Sequence, residues 1–259
     1  MLTFSDGTAF VTGGGSGIGQ AAALMFAQAG VPVVVADIDK GGIDDTVSAI
    51  EAAGGEALGV TLDVARLPSV HAAFDNAEAW KGPVAILVNS AGILRVAPFE
   101  TFSSDDFEQV MNVNVTGSFH CAQRASPGMK ERGFGRIINL ASVSGYRAGV
   151  GRVAYGTSKA AVAQLTRQMA LELGRYGITA NAVAPGATMT SMTADAYTEE
   201  NKASFLKMIP SGFIAGPGDI APSIVFLASE QARYVNGHTM AVDGGYLASG
   251  MMQTAGIEV

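Results

Sequence analysis

The chain has one cysteine in 259 residues, Cys121, so no intrachain disulfide can form. That scarcity fits a reducing cytoplasm. Charge is sparse as well: only 15% of residues are Asp, Glu, Lys or Arg, and the formal net charge is −7. No run of Lys and Arg occurs, so nucleic acid and anionic membrane surfaces are poor partners. No apolar stretch is long enough to cross a bilayer. The opening Met1-Leu2-Thr3-Phe4-Ser5-Asp6-Gly7 has neither a basic leader nor a long apolar segment, so no signal peptide is expected. His71, His120 and His238 are far apart and share no metal-ligand spacing, so no metal site is expected. Internal repeats, low-complexity tracts and linker-like segments are also missing, which makes 1–259 a single domain.

What the chain has instead is apolar residues, 48%, and 33 glycines without a collagen-like period. A large buried core is easily supplied. The spacing predicts strands over 8–11, 31–36, 57–62, 85–88, 136–140, 179–183 and 239–242. Helices are expected over 17–29, 43–53, 68–80, 105–124, 155–176 and 219–228, with a less regular stretch running to about 217. Continuous apolar strands alternating with helices imply a parallel sheet covered on both faces. Right-handed crossovers then give an α/β fold, a doubly wound Rossmann-type sheet flanked by helices.

The first expected strand runs into Thr12-Gly13-Gly14-Gly15-Ser16-Gly17-Ile18-Gly19. A glycine-rich turn before a helix lets backbone approach a pyrophosphate, and the helix start offers free N–H groups and positive dipole character. Gly13, Gly17 and Gly19 carry a T-G-x-x-x-G-x-G spacing, with Ser16 and Ile18 between them. Asp37 ends the second expected strand. A carboxylate there can accept from both ribose hydroxyls of an adenosine and repel a 2′-phosphate. Ile38 follows it, not Arg or Lys, and the glycine loop holds no cation, so NAD is expected over NADP. Asp63 and the run Asn89-Ser90-Ala91-Gly92 end the third and fourth expected strands, at the carboxyl edge where ligands bind. Asp63 can accept from an adenine amino group.

Ser142, Tyr155 and Lys159 form the second constellation. A tyrosine phenol, with a pKa of about 10, is too weakly acidic to serve unaided as a base near neutrality. An ammonium nearby favours the phenolate. Tyr155 and Lys159 are spaced i, i+4 and so share a helix face. Ser142 follows the fifth expected strand, where its hydroxyl can hold a substrate oxygen against Tyr155. Oxidation of a secondary alcohol needs such a base while hydride leaves; reduction of a ketone needs the same group as acid.

In this order the segments resemble the short-chain dehydrogenase/reductase family in its compact form, over nearly the whole chain. Asp63-Val64 looks like the family's adenine contact and Asn89-Ser90-Ala91-Gly92 like its Asn-Asn-Ala-Gly segment. Pro185-Gly186, with Thr188 and Thr190 after them, looks like the loop that meets the nicotinamide carboxamide. Asp243-Gly244-Gly245 resembles the closing strand. The resemblance implies Asn114 as a fourth catalytic residue, holding a water that links Lys159 to solvent; Asn112 is close by. It also implies a homotetramer. Two departures stand out: Ser90 replaces the second asparagine, and Pro210-Ser211-Gly212-Phe213 lacks an arginine often found there.

Specificity is expected to reside after the fifth strand and after Pro185-Gly186, with a substrate lid over about 187–216. Val143, Tyr146, Met189 and Met192 are the expected substrate contacts, in a largely apolar pocket that also draws on Tyr197, Phe205, Met208 and Ile209. Leu94, Arg95 and Val96 form a candidate opposite rim, and Arg147 or Arg95 a candidate partner for a carboxylate. The function expected is an NAD-dependent interconversion of a secondary alcohol and a ketone. The alternatives are a 3-oxoacyl-(carrier) reductase and, from another class, a non-catalytic NAD-binding sensor.

Overall fold

The computed structural model describes residues 2–194 and 197–250; the apolar tail 251–259 lies outside the described residues. Seven strands form one parallel sheet among the described residues: β1 (Thr8–Thr12), β2 (Val33–Asp37), β3 (Ala57–Thr61), β4 (Val84–Asn89), β5 (Gly135–Leu140), β6 (Ile178–Pro185) and β7 (Thr239–Val242). Their order is β3-β2-β1-β4-β5-β6-β7. Successive side chains alternate between two helical layers, as the period of a strand requires. Ala9, Val11, Val33, Val35, Ile86 and Val88 enter one core with α1 (Gly17–Gln28), α2 (Lys40–Ala52) and α8 (Pro217–Ala228). Phe10, Val34, Ala36 and Leu87 enter the other with α3 (Leu67–Lys81), α5 (Gly117–Arg132) and α6 (Val153–Leu173). Phe10 stacks on Phe74 of α3 with ring centres 4.2 Å apart. Both faces are therefore dry, which is why the strands read as continuous apolar runs.

The chain leaves β1 in one direction and β4 in the other, so a crevice opens beyond Thr12 and Asn89, which are register partners. Two expectations are corrected. The single helix over 105–124 is two, α4 (Ser104–Met111) and α5, joined by a π-helical turn over Asn112–Thr116. The irregular stretch before 217 contains α7 (Glu199–Leu206), whose first turn is capped by the Thr198 side chain accepting from Asn201 N at 3.2 Å. The short polar sequence of α7 carries no apolar stripe that would have announced it.

Candidate active site

A cleft of about 1290 Å³ follows the carboxyl edge of the sheet. One end is walled by the turn after β1, the ends of β2 and β3, and residues 90–92; the other by the segment after β5, the start of α6 and the stretch after Pro185.

At the first end backbone makes the surface. Gly13 and Gly17 have φ of +66° and +55°, a region side chains avoid. Gly19, inside the first turn of α1, packs so closely that a Cβ there would lie 2.1 Å from the Gly13 carbonyl oxygen. The loop can thus hold a dinucleotide against the helix N-terminus, and its cradle has no room for side chains. Thr12 Oγ1 accepts from Ser90 N and Ala91 N, both at 3.1 Å, and so fixes the opposite lip. Asp37 Oδ2 accepts from Gly15 N at 2.9 Å and Oδ1 from Asp39 N at 3.1 Å, which holds the carboxylate at the cleft wall. Ser16, Ile18, Ile38, Asp63, Val64, Ala91 and Gly92 line the cleft, as do Pro185, Gly186, Thr188 and Thr190.

Gly19 and Asn89 are not on the cleft surface. Gly19 is spent on packing. Asn89 is buried and donates to Asn139 Oδ1 at 2.8 Å, and Asn139 donates to Thr166 Oγ1 at 2.9 Å. This polar chain ties β4, β5 and α6 together beneath the site.

At the second end side chains make the surface. Ser142 precedes a 3-10 turn over Val143–Gly145 and accepts from Ser144 N at 3.1 Å. Gly145 lets that turn lie on α6: a Cβ would come within 2.8 Å of Ala160 N. The approach brings Ser142 beside Tyr155, one turn into α6. The Tyr155 phenol is pushed above its ordinary value, chiefly by burial; a hydrogen bond from Ser142 and the charge of Arg152 act in the opposite direction, and Tyr197 adds to the rise. Lys159 is buried, its Nζ donating to Leu140 O at 2.6 Å and lying 5.6 Å from the centre of the Tyr155 ring. Burial lowers its pKa to about 8. The i, i+4 pair is therefore on one face as expected, and Ser142 and Arg152 also favour the phenolate.

Asn114 is buried within the π turn. Its Oδ1 accepts from Ile93 N at 2.8 Å, while Nδ2 donates to Ile93 O at 3.1 Å and to Ser158 Oγ at 3.0 Å. The side chain brackets the loop after β4 against α6; Asn112, not Asn114, lines the cleft.

A family model described as enoyl-(acyl carrier protein) reductase matches residues 13–247. The chain belongs to the short-chain dehydrogenase/reductase family. This dehydrogenase/reductase is 39% identical over 242 residues to 2-dehydro-3-deoxy-D-gluconate 5-dehydrogenase of Escherichia coli (strain K12), covering 93% of this chain and 95% of that one. It is 41% identical over 241 residues to 3beta-hydroxysteroid dehydrogenase 1 of Eggerthella lenta, covering 92% of each. A crystal structure of a gluconate 5-dehydrogenase from Burkholderia cenocepacia J2315, in complex with NADP and tartrate, superposes with a TM-score of 0.91 at 36% identity, over 95% of this chain and 98% of that one. The protein is thus an oxidoreductase of the kind that acts on CH–OH groups, and the sensor alternative is set aside.

The substrate wall of this dehydrogenase/reductase departs from expectation. Val143 and Met192 line the cleft, with Phe205, Met208, Leu94 and Val96. Tyr146 and Met189 do not. Tyr146, 51% exposed, leaves the turn after β5 on its far side, where it lines a separate groove with Pro98, Phe99 and Val150. Met189, 37% exposed, lies between Thr188 and Thr190 in a short extended stretch bridged to Ala215, so alternation turns it away when its neighbours face in. Ile209 packs with Ala187 and Tyr197 in a small core of its own. Arg95 pairs with Asp106 at 3.5 Å outside the cleft. Hydroxyls and amides of Ser144, Thr193, Thr198, Asn201 and Ser204 fill the remaining wall, so the pocket is mixed and not largely apolar. Sequence reasoning missed the Thr12 clamp, the Gly145 approach and Arg152. Each acts through a partner distant in sequence or set by a turn.

Proposed function

We propose that this oxidoreductase uses NAD to interconvert a secondary alcohol and a ketone, with Tyr155 as the proton donor and acceptor. The chief support is the convergence of Ser142, Tyr155 and Lys159 at the end of the cleft opposite the glycine loop. Nicotinamide, when bound, would supply or accept the hydride. Gly13, Ser16, Gly17 and Ile18 would hold the pyrophosphate, Asp37 the adenosine ribose, and Asp63 with Val64 the adenine. Ala91, Gly92, Pro185, Gly186, Thr188 and Thr190 would border the rest.

In this reading Ser142 orients the substrate oxygen, Tyr155 exchanges the proton, and Lys159 binds the nicotinamide ribose and returns protons. Asn114 supports that relay by bracketing Ile93 against α6. The preference for NAD rests on charge. Among the described residues the cations lining the cleft, Arg147, Arg152 and Lys159, all lie at the reaction end, and a 2′-phosphate at the other end would meet Asp37 with no lining cation beside it. We also read 187–216 as the substrate lid, 1–259 as one catalytic domain, the assembly as a homotetramer and the setting as the cytoplasm. The scarcity of cysteine supports the setting; the family resemblance supports the tetramer.

The test is steady-state kinetics with either dinucleotide. Wild type should favour NAD in kcat/KM. Tyr155→Phe should lose about 10²- to 10⁴-fold in turnover with dinucleotide binding retained. Comparable turnover in that variant removes the proposed acid/base, and a wild-type preference for NADP overturns the charge argument for Asp37.

A further inference from the structure

The reaction end of the cleft carries a cation with no carboxylate partner among the described residues. Arg152 lies immediately before α6, three residues ahead of Tyr155, and lines the cleft. Among the described residues no carboxylate comes within ion-pair distance of it. Its neighbours are neutral. Nη1 donates to Ser144 Oγ at 3.4 Å, the guanidinium lies 5.9 Å from the centre of the Phe205 ring, and the side chain hydrogen-bonds Tyr197. Ser144 in turn donates its N–H to Ser142 Oγ at 3.1 Å, so a single residue separates Arg152 from the hydroxyl that faces Tyr155. The carboxylates among the described residues lining the cleft, Asp37 and Asp63, are at the other end. Arg147 is already engaged: its Nη1 donates to Tyr246 O at 3.0 Å, and its guanidinium covers the Tyr246 ring at 4.7 Å.

We propose that Arg152 anchors a carboxylate of the substrate, which makes short hydroxy acids and their keto acids the substrate class, with the reacting carbon at the Ser142–Tyr155 pair. The proposal rests on the oxidoreductase reading and names the substrate for it. An arginine fork matches a carboxylate bidentately. A half-buried cation without a counter-ion has lost part of its hydration before the anion arrives, and an incoming carboxylate recovers that cost. Ser144, Tyr197 and Phe205 hold the side chain in place, so little rotamer freedom is lost on binding. Fixing the acid at Arg152 also fixes which hydroxyl along the chain reaches Tyr155.

The full-length protein is assayed with lactate, 3-hydroxybutyrate and gluconate, each beside its primary amide. Wild type should favour the acids. Arg152→Gln should reduce the acid-to-amide ratio of kcat/KM by about 10- to 100-fold, and Arg152→Lys, which keeps charge but loses the fork, should fall between. A role confined to the Tyr155 phenol would slow acid and amide alike and leave the ratio unchanged. That outcome overturns the proposal, as does a wild type that oxidises the amides as readily as the acids; both leave the oxidoreductase reading intact. Absence of turnover with every member of the panel and with neutral secondary alcohols, while NADH still binds, defeats both readings together.

Discussion

At the glycine-loop end of the cleft much of the surface is main chain, from Gly13, Gly17 and the lip Ser90–Gly92, with the Asp37 carboxylate held by two N–H groups. At the reaction end it is side chains, from the turn after β5, Arg152, α6 and α7, with charge buried in their midst. A shape made of backbone needs particular small residues at fixed spacing, so it leaves a mark in sequence. A surface made of side chains depends on which way each one turns, and a single residue of offset reverses the outcome. The first end is therefore sensitive to a single added methyl, and the second to charge and protonation.

The largest effect expected from one added methyl is at Gly19. Gly19→Ala would press its Cβ onto the Gly13 carbonyl, where neither α1 nor the loop can yield without widening the cradle. Overpacking of this kind costs about 1–3 kcal/mol. NADH affinity should fall about tenfold or more, together with the melting temperature. Fluorescence titration and thermal unfolding read the two separately. Wild-type affinity in this variant would show that the cradle is not set by that contact.

This division also explains what was legible. The strands, the parallel sheet with its two dry faces and the glycine loop follow from β-branched runs and spacing, and they stand where the pattern put them. Tyr155 and Lys159 were legible because i, i+4 on a helix fixes a shared face whatever surrounds it. The π turn at Asn112–Thr116 was not, since a helix with one extra residue per turn has the same composition as one without. Tyr146 and Met189 were misplaced for a related reason. Each adjoins a residue that does face the cleft, Arg147 and Thr188, and only the turn at 143–145 and the bridge from Thr188 to Ala215 decide which neighbour points in. Ser90, a departure from the family pattern, costs little: its N–H is held by Thr12, and its small side chain fits beside Gly19.

A smaller effect concerns protonation at the reaction end. Burial raises the Tyr155 phenol above its ordinary value, so in the polypeptide without dinucleotide it should stay protonated through neutral pH. Lys159, lowered to about 8, is charged below that pH and neutral above it. The sign follows for catalysis: ketone reduction, which needs the phenol protonated, should be level through neutrality and fall once Lys159 loses its charge, whereas alcohol oxidation should climb with pH. Ultraviolet difference titration of wild type against Tyr155→Phe isolates the phenol directly. An ionisation already complete at neutral pH would mean that Ser142 and Arg152 outweigh burial, and the electrostatic order proposed for this end would be reversed.

The smallest effect should be at Met189, and it separates the two ends most sharply. Thr188 and Thr190 face the cleft, and Met189 between them does not. Met189→Ala removes an exposed side chain and touches neither the bridge to Ala215 nor the Thr193 hydroxyl bond that shapes the turn, since both are made by backbone atoms of this segment. Substitutions away from packed or charged features change free energies by about 0.5 kcal/mol or less, so kcat/KM should move by no more than about twofold. The comparison is steady-state kinetics of Met189→Ala against Met192→Ala, whose side chain lines the cleft and should respond through KM. A larger response at 189 than at 192 would mean that alternation along 188–190 does not govern which residues meet the substrate.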